Sequence, residues 1–182
     1  MVNKITEFIH EYDFDFSVLE NHKESIIQEY LIRKQENPNL TDVHITPTIP
    51  DIKKICTDLN RLVQKYYYTG DPLGEASLRV YVQTNEFNTS KLHDHIAMLG
   101  TIQGVFYLNP PKKGGELKFR YLENKEWGKE TIIQPQINKL ILFPYWLPHV
   151  PLPQQDSTPR LCFNWVYTNN QRPIHKFTGD VW

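Results

Sequence analysis

The chain has 182 residues, a formal net charge of −1 and an aromatic content of 13%. That length suits one domain with a substantial core, and the charge gives no strong nucleic-acid signal, because polyanion binders usually carry a basic excess. No apolar run is long enough to predict a membrane span, and the first residues lack the apolar core of a signal peptide. We therefore expect a cytoplasmic protein (in the host cell if a phage encodes it) with Cys56 and Cys162 as buried free thiols.

The N-terminal part of the chain predicts helices that support a later β core. Alternating apolar residues predict a short strand near residues 5–10. Ser17, with Glu20 three positions later, has the spacing of a capping box, so a helix is expected from there until Asn37. The other expected elements are a short extended piece at 43–45 and a second helix, apolar on one face, over 52–66.

From about residue 76 the apolar pattern changes to the period of two that is typical of strands. Gly114 and Gly115 lie in a loop, where glycine suits positive φ. The whole pattern predicts an α+β protein that is mainly β, a β-sandwich or jelly roll with N-terminal helices packed on one sheet. We expect a single domain over 1–182, with helical support over 1–75 and the jelly-roll core over 76–170. The expected strands are 77–84, 100–108, 116–121, 131–133, 138–143 and 160–167.

Two histidines at the entrance to the strand pattern of 100–108 suggest a metal site. His93 and His95 are two positions apart, so on a strand they share one face and Asp94 points to the other. The remaining ligand should come from a distant segment, and His149 is the best candidate. Imidazole suits iron, zinc, copper and nickel, so the ligand type alone does not select the metal. Surface histidines on an edge strand remain an alternative for the pair, and capping a turn remains one for His149.

The C-terminal half of the chain carries four motif segments, at 93–109, 114–119, 142–149 and 160–164. Together they resemble the Fe(II)- and 2-oxoglutarate-dependent dioxygenases. The resemblance is closest to their prolyl-hydroxylase-like branch and to small phage and bacterial oxygenases. Their pattern is a histidine pair or His-x-Asp, a strand ending in Tyr-Leu, a Gly-Gly-x-Leu-x-Phe hairpin, a Phe-Pro segment leading to a histidine, and an arginine some ten positions on. The resemblance implies a double-stranded β-helix, a cupin-like jelly roll, with Fe(II) at its open end, 2-oxoglutarate as cosubstrate and ascorbate as an accessory reductant.

The resemblance also implies roles for single residues. His93 and His149 match iron ligands, and no catalytic side chain is expected beyond the metal site. Arg160 matches the arginine that binds the far carboxylate of 2-oxoglutarate, a task that suits the bidentate guanidinium fork. Tyr107 matches a tyrosine whose hydroxyl reaches the same carboxylate, although core packing is the alternative. An ion pair with Glu116 or Asp156 is the alternative for Arg160. Asn164 and Gln103 are lesser candidates for lining the cosubstrate pocket.

The sequence departs from the family pattern at the usual carboxylate ligand, because His95 occupies that position. Three ligand sets are open: His93, His95 and His149; the same set with Asp94 replacing His95 on a distorted backbone; or two histidines with water. Strand alternation favours the three-histidine set. A neutral third imidazole would leave the iron more positive, which should change its redox potential.

The implied activity is hydroxylation of a substrate with release of succinate and CO2. A prolyl or other side chain, a nucleobase and a small metabolite are all compatible substrates, so both a protein and a small molecule are compatible partners. A second hypothesis is a cupin-type three-histidine metalloenzyme that does not use 2-oxoglutarate, and a third is a non-catalytic barrel that binds a partner.

Overall fold

The computed structural model describes residues 2–40, 42–45, 54–55, 57–62, 76–83, 91–94, 102–123, 126–157 and 159–167. The strands are β1 (Val2–Lys4), β2 (His10–Asp13), β3 (Asp42–Ile45), β4 (Ala76–Gln83), β5 (Ile102–Asn109), β6 (Leu117–Glu123), β7 (Glu126–Ile133), β8 (Lys139–Pro144), β9 (His149–Pro151) and β10 (Arg160–Tyr167). A 3₁₀ helix (Ser17–His22) leads directly into α1 (Lys23–Glu36), and residues 54–55 and 57–62 are also helical.

The described strands form two antiparallel sheets. The larger has seven strands in the order β1-β2-β8-β5-β10-β4-β3, and the smaller has three in the order β7-β6-β9. The expectation of a mainly β protein with few helices is confirmed, and β10 has the predicted bounds. The large sheet includes β1, β2 and β3 from the N-terminal part of the chain as well as the later strands.

One face of the large sheet packs against the helices. Its buried cluster joins apolar residues of the 3₁₀ helix, α1 and the helical residues 54–55 and 57–62 to β5, β8 and β10. Ile26 and Tyr30 of α1 belong to this cluster together with Phe106 and Phe163. The helices therefore lie on one sheet, as predicted. None of the described helices is long and apolar enough to cross a membrane.

The other face of the large sheet, which we call the inner face, packs against the small sheet. Strand alternation places Gln103, Val105 and Tyr107 of β5 on this face, together with Ile141 and Phe143 of β8 and Cys162 and Asn164 of β10. The apolar members form a second core with Leu117 and Phe119 of β6. A residue on the inner face therefore points into the space between the two sheets.

The N-terminal details differ from the sequence predictions. Residues 5–9 are not a strand, because the backbone N–H groups of Ile5 and Thr6 donate to Ile9 O at 3.0 and 3.1 Å and close a turn between β1 and β2. Ser17 does not cap an α-helix but begins the 3₁₀ helix, and its N–H donates to Asp15 Oδ1 at 2.8 Å. The local Asp15 turn competes successfully with the expected capping box.

Later differences concern strand length. The β7 strand is longer than the predicted 131–133, and β9 was not predicted at all. β9 has three residues that end in proline, so it carries no alternation that a sequence pattern could reveal. The predicted positive φ at Gly114 and Gly115 is confirmed, with values of 75° and 74°.

Candidate functional site

His93 and His149 are brought together by a short antiparallel bridge. His93 N–H donates to His149 O at 3.0 Å, and His149 N–H donates to His93 O at 2.8 Å. The two imidazole centroids are 4.6 Å apart. The segment around His93 thus extends the small sheet beside β9, and the expected meeting of these two histidines is observed.

Backbone carbonyls lie beside Nδ1 of both imidazoles. His149 Nδ1 lies 2.9 Å from Leu147 O, and His93 Nδ1 lies 3.2 Å from Lys91 O. A carbonyl only accepts hydrogen bonds, so each of these contacts is a hydrogen bond when Nδ1 carries a proton. This arrangement is typical of metal-ligating histidines, whose second ring nitrogen is oriented by an outer hydrogen bond.

His149 lies in an aromatic wall, whereas His93 is at the surface. His149 is only 4% exposed, and its ring lies 4.9 Å from the Phe143 ring and 6.1 Å from the Phe119 ring, between centroids. Phe119 is also its register partner across β6 and β9. The wall fixes His149 and excludes water from one side of it, while the exposed side of His93 leaves the pair accessible.

The third predicted ligand is placed only in part. His95 lies outside the described residues, and Asp94 is described as half-buried. Among the described residues, no three His, Cys, Asp or Glu side chains converge at metal-binding distances. The described part of the predicted metal site is therefore the pair His93 and His149.

Arg160 lies at the opposite end of the inner face. It is 1% exposed, and its Nη1 donates to Gly115 O at 2.8 Å. Its Nε has no hydrogen-bond partner among the described residues. The sequence allowed an ion pair with Glu116 or Asp156, but the described contact is with the Gly115 carbonyl instead. A buried guanidinium without a paired carboxylate is unfavourable, which points to an anionic ligand.

Tyr107 lies on β5 beside the strand that carries Arg160. Its register partner is Cys162, and a β-bulge between Leu161 and Cys162 shifts the pairing of the two strands there. Burial raises the pKa of the Tyr107 phenol, the nearby Cys162 raises it further, and the charge of Arg160 opposes this. The phenol is therefore neutral at physiological pH and can donate a hydrogen bond.

Two amides of the inner face, one buried and one half-buried, also have side-chain oxygen atoms without partners among the described residues. Gln103 is 1% exposed, and neither Gln103 Oε1 nor Asn164 Oδ1 has a hydrogen-bond partner among the described residues. Gln103 pairs in register with Phe143, at the His149 end, and Asn164 pairs with Val105, midway along the strand. Polar groups therefore follow the inner face from the histidine pair to Arg160.

The described side chains fit a metal ion and a dicarboxylate. The histidine pair lies at one end of the inner face, and Arg160, whose Nε has no partner among the described residues, lies at the other end. Near the small sheet, Phe119 lies at the histidine end and Gly115 at the Arg160 end. These two residues are roughly 10–13 Å apart at about 3.3 Å per strand residue.

Two members of this site were missed from the sequence. The Gly115 carbonyl contacts Arg160, and no sequence pattern reveals which backbone carbonyl a distant side chain meets. Cys162 lies on the inner face next to the predicted cosubstrate residues. Its position two residues after Arg160 on a strand was the signal that could have identified it.

Comparison with solved structures relates this geometry to known proteins. No family model matches the chain, and no curated protein matches it by sequence. A prolyl-4-hydroxylase from Pseudomonas putida is 16% identical with a TM-score of 0.61, covering 90% of this chain and 94% of that one. A Trichoplax adhaerens prolyl hydroxylase, solved with a hypoxia-inducible-factor peptide fragment, is 17% identical with a TM-score of 0.64, covering 90% and 84%. The chain has the fold of the prolyl hydroxylases and 2OG-Fe(II) oxygenases.

This oxygenase fold is shared with a third protein of low identity. HygX from Streptomyces hygroscopicus, solved with nickel and 2-oxoglutarate bound, is 10% identical with a TM-score of 0.63, covering 90% of this chain and 83% of that one. The fold that the sequence resemblance implies is thereby confirmed, because the chain shares it with these prolyl hydroxylases and with HygX.

Proposed function

We propose that this chain is an Fe(II)- and 2-oxoglutarate-dependent dioxygenase with a jelly-roll, double-stranded β-helix core. The observation that carries the proposal is Arg160, a buried guanidinium that pairs with no carboxylate among the described residues, at the end of the inner face opposite the histidine pair. A dicarboxylate whose one end reaches the metal ligands and whose other end reaches Arg160 satisfies both. The oxygenase fold of the solved relatives agrees with this choice.

The metal would be held by His93, His149 and a third ligand. His95 is our choice for that ligand, because alternation on an extended strand places it on the face of His93, and Asp94 is the alternative. Bound iron supplies the activation of O2 that couples decarboxylation of 2-oxoglutarate to substrate oxidation, and ascorbate would keep that iron reduced. In the balanced reaction, substrate C–H, 2-oxoglutarate and O2 give substrate C–OH, succinate and CO2.

The remaining residues of the site bind, orient and exclude water. The Arg160 guanidinium would bind the far carboxylate of 2-oxoglutarate, and the neutral Tyr107 phenol would donate to the same group. Asn164 and Gln103 would line the cosubstrate. The hydroxylated substrate would be a prolyl or other side chain, a nucleobase or a small metabolite.

The cosubstrate assignment is tested by calorimetric titration of 2-oxoglutarate into anaerobic Mn²⁺-loaded protein. Removing one partner of a buried charged pair costs about 2–5 kcal/mol, so Arg160→Ala should weaken binding by roughly 1.5–3.5 decades at about 1.4 kcal/mol per decade. Arg160→Lys should recover only part, because an ammonium cannot form the bidentate fork. Mn²⁺ affinity should stay nearly unchanged.

The control variant is Arg61→Ala, which removes an exposed arginine that pairs with Asp58 on the helical layer. The control ligand is 2-oxopentanoate, which has the same 2-oxo acid end without the far carboxylate, and Arg160→Ala should not weaken its binding. Absence of 2-oxoglutarate binding by the unmodified protein would contradict the proposed function and favour a three-histidine metalloenzyme of the cupin type. Equal binding by Arg160→Ala would contradict only the residue assignment.

A further inference from the structure

We propose that Gly115 is a positioning residue for Arg160. Its carbonyl oxygen and its bare α-carbon together hold the guanidinium in the orientation that receives the far carboxylate of 2-oxoglutarate. This inference rests on the proposed function. It assigns a role to the Gly114-Gly115 turn, and that role differs from those of the metal ligands and the cosubstrate residues.

The first step is the contact itself. Arg160 Nη1 donates to Gly115 O at 2.8 Å, in a buried bond between residues 45 positions apart. This bond uses one donor of the guanidinium, while Nε has no partner among the described residues. A long side chain otherwise loses considerable rotamer entropy when it is held in one geometry. The Gly115 carbonyl therefore preorganises the fork and leaves the Nε edge to meet a ligand.

The second step is the space that glycine leaves. A Cβ on Gly115 would lie 3.0 Å from Arg160 Nη1 and 2.5 Å from Pro111 Cγ, closer than ordinary side-chain contacts allow. The φ of Gly115, 74°, is also one that other residues rarely adopt. Any side chain at this position would displace the guanidinium, the proline or the turn.

The third step is the anchorage of the turn. Asp156 Oδ2 accepts hydrogen bonds from the backbone N–H groups of Lys112 and Lys113, at 2.8 and 3.1 Å. Asp156 lies four positions before Arg160, in the segment that leads into β10. The turn is therefore fixed to the same segment of chain that presents Arg160, so the carbonyl and the guanidinium keep one relative position.

The test is Gly115→Ala in the full chain, loaded with Mn²⁺ and titrated calorimetrically with 2-oxoglutarate. We expect a loss of affinity of about ten- to a hundredfold, the range for disturbing one hydrogen bond of a charged group. The affinities for 2-oxopentanoate and for Mn²⁺ should stay within about twofold of those of the unmodified protein. That is well below a tenfold change, which corresponds to ~1.4 kcal/mol of binding free energy. Gly128→Ala is the matched control, because a Cβ there meets no atom within 4 Å.

A second variant separates positioning from damage to the turn. In Pro111→Ala/Gly115→Ala the 2.5 Å contact is relieved, so the contact with Arg160 at 3.0 Å remains as the main close approach. This double variant should fold and still lose 2-oxoglutarate affinity. In an Arg160→Lys background, Gly115→Ala should cost little further affinity, because the two changes affect one contact.

Two results would overturn the positioning role while leaving the proposed function intact. One is an equal loss of affinity for 2-oxoglutarate and 2-oxopentanoate in the Gly115 variants, which would indicate general damage to the site. The other is full additivity of Gly115→Ala and Arg160→Lys. If the unmodified protein does not bind 2-oxoglutarate, the proposed function itself fails.

Discussion

Some single residues of this protein place polar groups between two apolar sheets, which is energetically unfavourable. Arg160 and Gln103 are each 1% exposed, yet each has an atom without a partner among the described residues. An unsatisfied buried polar group costs about 1–3 kcal/mol, and more when it is charged. Two such groups on one face are easiest to understand as ligand contacts, because a bound polar molecule would satisfy them.

The identity of the third metal ligand is tested at the residue scale. On an extended strand His95 shares the face of His93, so His95→Ala should weaken Mn²⁺ or Fe²⁺ binding at least about tenfold, or ~1.4 kcal/mol. Asp94→Ala should have a much smaller effect. The measurement is metal stoichiometry by elemental analysis, together with calorimetric titration.

The controls for this prediction use histidines inside and outside the proposed site. His149→Ala should abolish stoichiometric binding of one ion per chain, whereas His22→Ala, at the end of the 3₁₀ helix, should not. A larger effect of Asp94→Ala than of His95→Ala would show that Asp94 is the ligand and that the backbone is not extended there.

Because of the Cys162 thiol, we expect the free energy of unfolding to decline at alkaline pH. Burial raises the pKa of this thiol from 9.0 to about 11, against the opposing charge of Arg160. As the pH rises, the thiol therefore loses its proton at a lower pH in the unfolded chain than in the folded protein. The thiol's contribution to stability is complete below pH 9 and is lost as the pH rises towards 11, by roughly 2–3 kcal/mol at about 1.4 kcal/mol per pH unit.

Urea unfolding between pH 8 and 11 measures this decline. Cys162→Ser should flatten the loss of unfolding free energy over that range relative to the unmodified protein, since serine does not titrate there. Cys56→Ser serves as the control thiol variant. An identical slope in the Cys162 variant would show that the thiol is not shielded in the folded state.

At the scale of elements, strand alternation separates two functions of the same strand. On β5, Ile102, Phe106 and Leu108 pack against the helical layer, while Gln103 and Tyr107 of the intervening positions lie on the inner face. A slip of one residue in register would exchange these faces and bury the polar groups among helices. The site therefore depends on the register of β5 with β8 and β10.

Asn138 lies just before β8, and we expect substitutions at this strand boundary to change the stability of the protein. Its φ is 59°, its carbonyl accepts from Phe14 N at 3.0 Å and its Oδ1 accepts from Phe16 N at 3.4 Å. Asn138→Ala should destabilise the protein by about 1–2 kcal/mol, because alanine lacks the short polar side chain with which asparagine tolerates the left-handed region. Asn138→Gly should cost less, since glycine adopts that φ freely.

The Asn138 prediction is checked by urea unfolding of both variants. Asn39→Ala, in the exposed turn after α1, is the control for removing an asparagine elsewhere. If the alanine and glycine variants are equally destabilised, the side-chain hydrogen bond to Phe16 and not the backbone conformation is responsible.

At the scale of the whole molecule, two facing sheets make one elongated site from distant segments. The small sheet contributes the His149 end through β9 and its bridge to His93, and the large sheet contributes Tyr107 on β5 and Arg160 on β10. The helical layer covers the opposite face of the large sheet and leaves the inner face to the site. The solved prolyl hydroxylases and HygX share this fold at 10–17% identity.

The sequence by itself determined the features that depend on local pattern. The bounds of β10, the end of α1 at Asn37 and the positive φ of Gly114 and Gly115 follow from alternation, chain breakers and glycine geometry. The candidate residues His93, His149, Tyr107 and Arg160 were also readable, because their order and spacing match a family pattern. Their roles in metal and cosubstrate binding stay predictions.

The tertiary structure alone decided which of these residues meet and what surrounds them. β9 is too short for any pattern, yet its bridge is what brings His93 beside His149. Within the described part of the chain, Arg160 contacts the carbonyl of Gly115 and not a carboxylate. No spacing could indicate this contact, because it depends on how a turn packs beside a strand 45 positions away. Contacts between distant segments arise from packing of whole sheets, and a single sequence records local preferences but not that packing.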